Sequence, residues 1–339
     1  MGLIFCDSFD HYTSNTGKGW YGPTYITIGP TYARTGTNGF DMERYNSYWA
    51  HSLDAGYGAA TIGFAFKGMH GSGSETVIGG FLDPVAYGNG GCIYISWVPG
   101  AGDLALYWGW STGPQLITSI AGAAPWNQWH YIELSAVFSI TATGKVVLRV
   151  DNAEIYRNEA VRNCGYDATP SAISFGQGGN AYTGYDRYID DLYVNDTFDD
   201  FYGDVRVECK MPNGEGSHEE WVPNSSVHNY QCVDEIPLST TDYVTANTAD
   251  QQDAYAKAAL TTVIGSVKAV AVNVHAQKTA VGPRTMATVA TLGSNEEVGA
   301  TKSLGTDWAW FQQPLDKPGG GSWTIDDVND ADLGIKLIA

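Results

Sequence analysis

The segment 129–194 constrains the fold more than any other stretch of this chain. It reads Trp129-His130-Tyr131-Ile132-Glu133-Leu134, turns at Ala142-Thr143-Gly144, and continues as Lys145-Val146-Val147-Leu148-Arg149-Val150-Asp151-Asn152. Ile132, Leu134, Ala136 and Phe138 share one parity, and so do Val146, Leu148 and Val150. Successive side chains in a strand point to opposite faces, so period-two alternation around a glycine turn specifies a half-buried antiparallel hairpin. Asp151-Asn152 tolerates left-handed backbone, and the chain reverses again there. After a loop of small residues, Tyr188-Ile189-Asp190-Asp191-Leu192-Tyr193-Val194 supplies a late strand.

Further strands are predicted at 3–9, 60–66, 76–81, 92–97 and 104–108, separated by turns such as Gly88-Asn89-Gly90-Gly91. Only 16% of the 339 residues are charged, against 41 Gly and 21 Tyr, a balance that favours an all-β protein rich in tight turns. Lys and Arg total 18 and Asp and Glu 37, a net charge of −19 that argues against nucleic acid or an anionic membrane as partner. No apolar run is long enough to span a bilayer, and the first residues carry no secretory pattern. Five cysteines, odd in number and without C-x-x-C spacing, read most simply as free thiols of a protein folded in a reducing compartment, with a disulfide between two of them as the alternative.

The second half opens with an alternating pattern at 203–208, and the strongest strand of the chain is expected at 266–275, followed by 284–292 and 307–312. Residues 250–260, rich in Ala, Gln and Lys, read as an irregular or short helical piece. A short helix is predicted at 324–328, with Thr324 as N-cap, Asp327 three residues on, Gly334 as its stop and a strand at 335–338.

The order of a Trp-led strand, a Gly turn, a V-L-R-V-D-N strand and a late closing strand resembles the concanavalin-A-like, laminin-G-like jelly roll. The resemblance implies that residues 3–9 lie beside 188–194. A first domain of residues 1–198 and a second, smaller β-sandwich of 199–339 follow, joined through the polar, turn-rich stretch at 195–200, which is docked by aromatics. A second resemblance covers nearly the whole chain. Phe9-Asp10-His11-Tyr12, the run Ile189-Asp190-Asp191-Leu192-Tyr193-Val194-Asn195-Asp196, residues 203–216, Trp221-Val222-Pro223, Tyr230, Val233-Asp234-Glu235 and Trp323-Thr324 to Asp327-Val328-Asn329 with Gly334 together look like structural proteins of tailed bacteriophages. That family implies a multi-copy virion component without known catalysis.

The concanavalin-A-like fold also hosts laminarinase-type hydrolases, which place two carboxylates on one strand face in a Glu-x-Asp-x-Glu or Glu-x-Asp-x-x-Glu pattern. No such pattern occurs here. Asp190-Asp191, Glu219-Glu220, Asp234-Glu235 and Asp326-Asp327 are sequence neighbours, which a strand sends to opposite faces. The seven histidines are scattered without H-x-x-x-H spacing; His218-Glu219-Glu220 and His228 share one loop region, whose plainer reading is solvated loop. The jelly-roll resemblance leaves room for a rim calcium ion, with Asp83 and Asp151 at candidate loops, but no motif supports a ligand set. No G-x-S-x-G occurs.

Aromatic residues are the remaining signal. Trp97, Tyr107, Trp108, Trp110, Trp126 and Trp129 crowd one region of the first domain, with Tyr107 opposite in parity to Trp108 and Trp110. Rings on an exposed sandwich face stack on sugars or anchor protein partners, whereas inward ones build the core. Trp97, Trp108, Trp110 and Trp126 are the candidate contact surface. The expected protein is therefore non-enzymatic: a tail- or neck-attached fibre component or head decoration protein, folded in the bacterial cytoplasm and carried on the virion. Its expected partners are capsid, neck or tail proteins, copies of itself and a host-surface glycan. A carbohydrate-binding lectin-like module is the alternative, and a polysaccharide hydrolase stands third. Neither catalytic residues nor a cofactor are expected.

Overall fold

A computed structural model of the protein describes residues 2–11, 17–22, 26–42, 48–69, 75–82, 91–109, 113–165, 167–176, 186–262, 265–279 and 281–339. The chain is almost entirely β and divides into two compact units, Gly2–Val207 and Glu208–Ala339.

The first unit is a jelly-roll sandwich of two antiparallel sheets. One has eight strands: Ala153–Val161, Gly144–Val150, His130–Val137, Ala59–Gly68, Arg187–Asn195, Gly39–Met42 and Ile26–Gly29 in spatial order, with Leu3–Asp7 also on Arg187–Asn195. The other has seven, in the order Gln115–Ile120, Asp103–Trp108, Gly91–Val98, Thr76–Leu82, Ala172–Gly176, Tyr48–Ser52 and Trp20–Tyr21. The hairpin read from the sequence forms with Ile132 opposite Val150, Leu134 opposite Leu148 and Ala136 opposite Val146, so all six side chains reach the core together. Asp151 (φ 51°) and Asn152 (φ 68°) make the left-handed turn that follows. The first strand lies antiparallel to the closing one, with Phe5 opposite Val194 and Asp7 opposite Leu192. Between the sheets Phe40, Trp49, Phe64, Phe66, Phe81, Trp97 and Phe175 are sealed from solvent. Their rings meet edge to face, as Phe64 and Phe175 do at 5.2 Å and 90°, the arrangement the ring quadrupole favours.

The boundary expected at 198/199 lies instead between Val207 and Glu208, and residues 203–208 are not a strand. The reason is that residues 199–207 run as a strap over the outer face of the eight-stranded sheet. Across that face Tyr193, Gly63, Glu133 and Arg149 stand in one row. Gly63 is required there, because a Cβ would stand 2.2 Å from the Tyr193 ring. Tyr202 stacks on Tyr193 (4.5 Å, 19°), and Phe201 lies under the Arg149 guanidinium at 4.7 Å. Buried Glu133 accepts hydrogen bonds from the Tyr193 hydroxyl (2.6 Å) and the Gly203 amide (2.8 Å), and the Val207 amide donates to Asp191 at 2.9 Å. The alternation at 203–208 thus reflects a segment pinned through its backbone, not a ladder.

The second unit is smaller. Its six-stranded sheet runs Pro212–Glu219, Gln252–Lys257, Asp332–Leu337, Thr285–Leu292 and Asn295–Val298, with Lys302–Ser303 also on Thr285–Leu292, and Val270–Ala276 pairs with Ala309–Leu315 as a separate ribbon. Val270, Ala290, Leu315, Trp323, Val328 and Ala331 form its core. The stretch 250–260 is neither irregular nor helical in its middle: Gln252–Lys257 is a strand with neighbours on both sides, and ladder pairing overrides the helix preference of Ala, Gln and Lys. The short helix forms over Ile325–Asp330, capped by the reciprocal Thr324–Asp327 box. Gly334 does not stop it. The helix ends at Ala331, and Gly334 sits inside the next strand because a Cβ there would meet the Asp253 carbonyl oxygen at 1.9 Å.

Candidate functional site

The outer face of the seven-stranded sheet carries a second row, which runs across every strand. Register places Tyr21 opposite Ala50, Ala50 opposite Ser174, Ser174 opposite Gly80, Gly80 opposite Tyr94, Tyr94 opposite Tyr107 and Tyr107 opposite Leu116. They alternate with the neighbouring core residues of their strands, such as Trp49, Ile173, Phe81, Ile93 and Leu106; a register shift in Thr76–Leu82 lets Ile78 reach the core as well. With strands ~4.8 Å apart, six steps span roughly 29 Å. The row is aromatic or apolar at both ends and small in the middle.

The tyrosines make the polar and stacking end of this row. Tyr94 and Tyr107 stack at 5.6 Å and 18°, and the Tyr107 hydroxyl donates to Glu75 at 3.1 Å. Gly80 allows the pair its place, since a Cβ there would stand 2.5 Å from the Tyr94 Cβ. Burial first, and then the bond to Glu75, pushes the Tyr107 hydroxyl up to about 12; burial also raises Tyr94 well above the usual phenol range. Both hydroxyls therefore keep their protons at neutral pH, that of Tyr107 directed at Glu75. Ala50, Gly80 and Ser174 are buried and Tyr94 is almost covered, so the accessible parts of the row are half-buried Tyr107 with Leu116, 56% exposed at the sheet edge, and half-buried Tyr21 at the far end.

The four tryptophans separate. Trp97 is a correction: it is fully buried, edge-on to Phe66 at 5.4 Å, with its indole N–H donating to the Ala124 carbonyl at 2.8 Å. It shares the inward parity of Ile93 and Ile95, so it belongs to the core and not to any contact surface. Trp108 is half-buried beneath the Arg162 guanidinium at 4.2 Å. Trp126 is 48% exposed on a turn whose backbone is held by Ala124 N–H to Gly102 O (2.8 Å) and Asn127 N–H to Gly68 O (2.7 Å). Trp110 lies outside the described residues, as does Asp83. Sequence reasoning found Tyr107 and its opposite parity but missed Tyr94, Gly80, Ser174, Ala50 and Tyr21, whose alignment depends on register between strands far apart in the chain.

Four of the eight paired acids have structural work. Asp190 accepts the Arg34 and Thr35 amides (2.7 and 3.0 Å), and Asp191 pairs with Arg34 and holds the strap. Asp327 caps the helix and pairs with Lys317 at 2.8 Å, which with the Thr324 bonds holds its carboxyl down at about 2. Glu220 accepts the Gln252 amide at 2.8 Å. Asp151, one of the two calcium candidates, is engaged by the His130 ring at 2.8 Å and by the Tyr131 amide at 2.8 Å.

No known family model matches the chain, and no curated protein does. Solved structures similar to it include an endo-β-1,4-glucuronan lyase from the fungus Trichoderma reesei, 16% identical over 57% of this chain and 96% of that one, with a TM-score of 0.42. A PL-14 alginate lyase from Aplysia kurodai is 11% identical over 57% of this chain and 99% of that one, at 0.42. The carbohydrate-binding module CBM66 from Bacillus subtilis is 10% identical over 52% and 96%, at 0.35. At these identities and scores the likeness is one of β-sandwich shape and carries nothing about activity.

Proposed function

We propose that the first unit is a non-catalytic carbohydrate-binding module, and that a glycan docks at the accessible Tyr107–Leu116 end of the outer row of the seven-stranded sheet. The observation that carries this reading is that end of the row: Tyr107, half-buried and stacked on Tyr94, stands beside Leu116, which is 56% exposed at the sheet edge. Ring faces stack on the apolar faces of sugars, and the Tyr107 hydroxyl oxygen can accept a hydrogen bond from a sugar hydroxyl while its own proton stays directed at Glu75. The net charge of −19, with Glu75 at the row, favours a neutral glycan over a polyuronate.

A second reading places this module on a tailed-phage particle, where it would attach the virion to a host glycan while packing against capsid, neck or tail proteins and copies of itself. The phage-like order of motifs supports it. Its residues are mostly architectural: Asp190 and Asp191 hold loops, and Thr324 and Asp327 cap the helix. The two readings are compatible.

The test is a glycan array followed by titration of hits with Tyr107→Ala and Leu116→Ala. We expect neutral polysaccharides among the hits, roughly tenfold weaker binding in Tyr107→Ala, and no release of reducing ends. Unchanged affinity in both variants, or an array without hits, would overturn the module; turnover would overturn its non-catalytic character.

A further inference from the structure

In the second unit the strand Pro212–Glu219 carries a pronounced bulge: Glu215 stands opposite Tyr255 and Glu219 opposite Asp253, so four steps on one strand match two on its neighbour. Gly216 makes room inside the bulge, where a Cβ would stand 2.5 Å from the Ala254 carbonyl oxygen. The chain then returns to place His228 and the turn Asn229–Cys232 beside the same acids. The Asn229 amide donates to Glu215 Oε1 (2.9 Å), and its side-chain nitrogen donates to both Asp253 oxygens (2.9 and 3.0 Å). His228 Nδ1 lies 3.4 Å from Glu215 Oε1. One ligand atom each from Glu215, Glu219 and His228 falls within 4.8 Å of the others.

We propose that Glu215, Glu219 and His228 form a binding site for one divalent transition-metal ion, with Zn²⁺ as the best fit. Three observations support it independently of the acidic character of the cluster. An imidazole nitrogen converges with the carboxylates, a donor set that suits zinc and disfavours calcium or magnesium, which take oxygen. Glu215 Oε2 is enclosed yet has no hydrogen-bond partner. Among the described residues no lysine or arginine ion-pairs with Glu215, Glu219 or Asp253, and His228 is the basic group beside Glu215, so a cation there would balance charge that these residues leave unbalanced. Two ligands of one zinc at about 2.1 Å each can stand at most about 4.2 Å apart, so the exposed Glu219 and His228 side chains need close by only a fraction of an ångström. Asp253 and Asn229 stand behind the ligands and position Glu215. His218, which the sequence groups with Glu219, is not a member, and Glu220 is occupied by the Gln252 amide. The ion would fasten the turn Asn229–Cys232 to the bulged strand.

The experiment is calorimetric titration of the chelator-stripped full chain with Zn²⁺, Ca²⁺ and Mg²⁺, with metal content measured after desalting. The result expected is one zinc per chain, at least tenfold weaker in both His228→Ala and Glu219→Gln, with Ca²⁺ and Mg²⁺ binding far more weakly. Both altered side chains are exposed, so circular dichroism should be unchanged and lost binding can be read as lost ligands. No saturable zinc uptake, or uptake undiminished in both variants, would overturn the proposal. Calcium binding as tightly as zinc would overturn the role of His228.

Discussion

The two sheets of the first unit treat their outer faces in opposite ways. Each places a glycine beside a tyrosine in a row across the strands, Gly63 beside Tyr193 on one and Gly80 beside Tyr94 on the other. On the eight-stranded sheet the row is closed by the protein's own strap, and Tyr202 stacks on Tyr193 at 4.5 Å. On the seven-stranded sheet the stacking partner is Tyr107, a neighbour in the same sheet, at 5.6 Å. The first face also sinks a carboxylate, Glu133, whose acceptor oxygen is met by a hydroxyl and a backbone amide. The second has small side chains at the corresponding positions. One face is finished by the strap, and the other leaves Tyr107 and Leu116 accessible at one end of its row. The strap serves as an intramolecular example of the contact proposed for that end: a flat ring on tyrosine.

The largest effect that would break this comparison is removal of the strap. A chain ending at residue 207 should fold as the first unit does, whereas one ending at 198 uncovers Tyr193, Glu133 and Asp191. Losing the Tyr202 and Phe201 contacts and the amide bonds to Glu133 and Asp191 should cost more than about 3 kcal/mol and favour aggregation. Denaturant melts of the two fragments check this. Equal stability would mean the strap is a passenger. A smaller but still large effect is expected from Glu133→Ala, which leaves the Tyr193 hydroxyl and the Gly203 amide without their acceptor: about 2–4 kcal/mol, with faster hydrogen exchange in peptides covering 199–207. Exchange unchanged there would mean that the aromatic contacts alone hold the strap.

Much of this architecture could be read before any coordinates. The hairpin at 130–150, the left-handed turn at Asp151-Asn152 and the pairing of the first strand with the closing one follow from local alternation, turn chemistry and a resemblance that concerns strand order. The capping box at Thr324 is local as well. What escaped is non-local. The strand Gln252–Lys257 exists because Pro212–Glu219 and Asp332–Leu337 flank it, and nothing inside those six residues says so. The alternation at 203–208 looks like a strand, but its amides are spent on Glu133 and Asp191, acids far back in the chain. The tryptophans were conspicuous as residues, yet Trp97 faces the core from a strand while Trp126 stands on a turn, and which face of a strand is inward depends on its sheet neighbours. The tyrosine row is invisible in sequence for the same reason: its seven residues come from seven strands between positions 21 and 174.

The finest test pits two tyrosines against each other. Tyr202→Ala removes a half-buried ring by which the strap stacks on Tyr193, so it should destabilise the first unit by about 1–2 kcal/mol and leave glycan binding unchanged. Tyr107→Ala removes a ring of similar size that also stacks on a tyrosine, but from a half-exposed position at the sheet's outer row. Its hydroxyl bond to Glu75 is exposed and therefore exchangeable with water, which should limit the loss to about 1 kcal/mol or less. Its cost should appear in glycan affinity instead. Melts and titrations of both variants against the same glycan separate the cases, because a structural tyrosine moves the melt and a contact tyrosine moves the titration. If Tyr107→Ala destabilises the fold as much as Tyr202→Ala while affinity holds, both rows are architecture, and the seven-stranded sheet has no more claim to a ligand than the face the strap already covers.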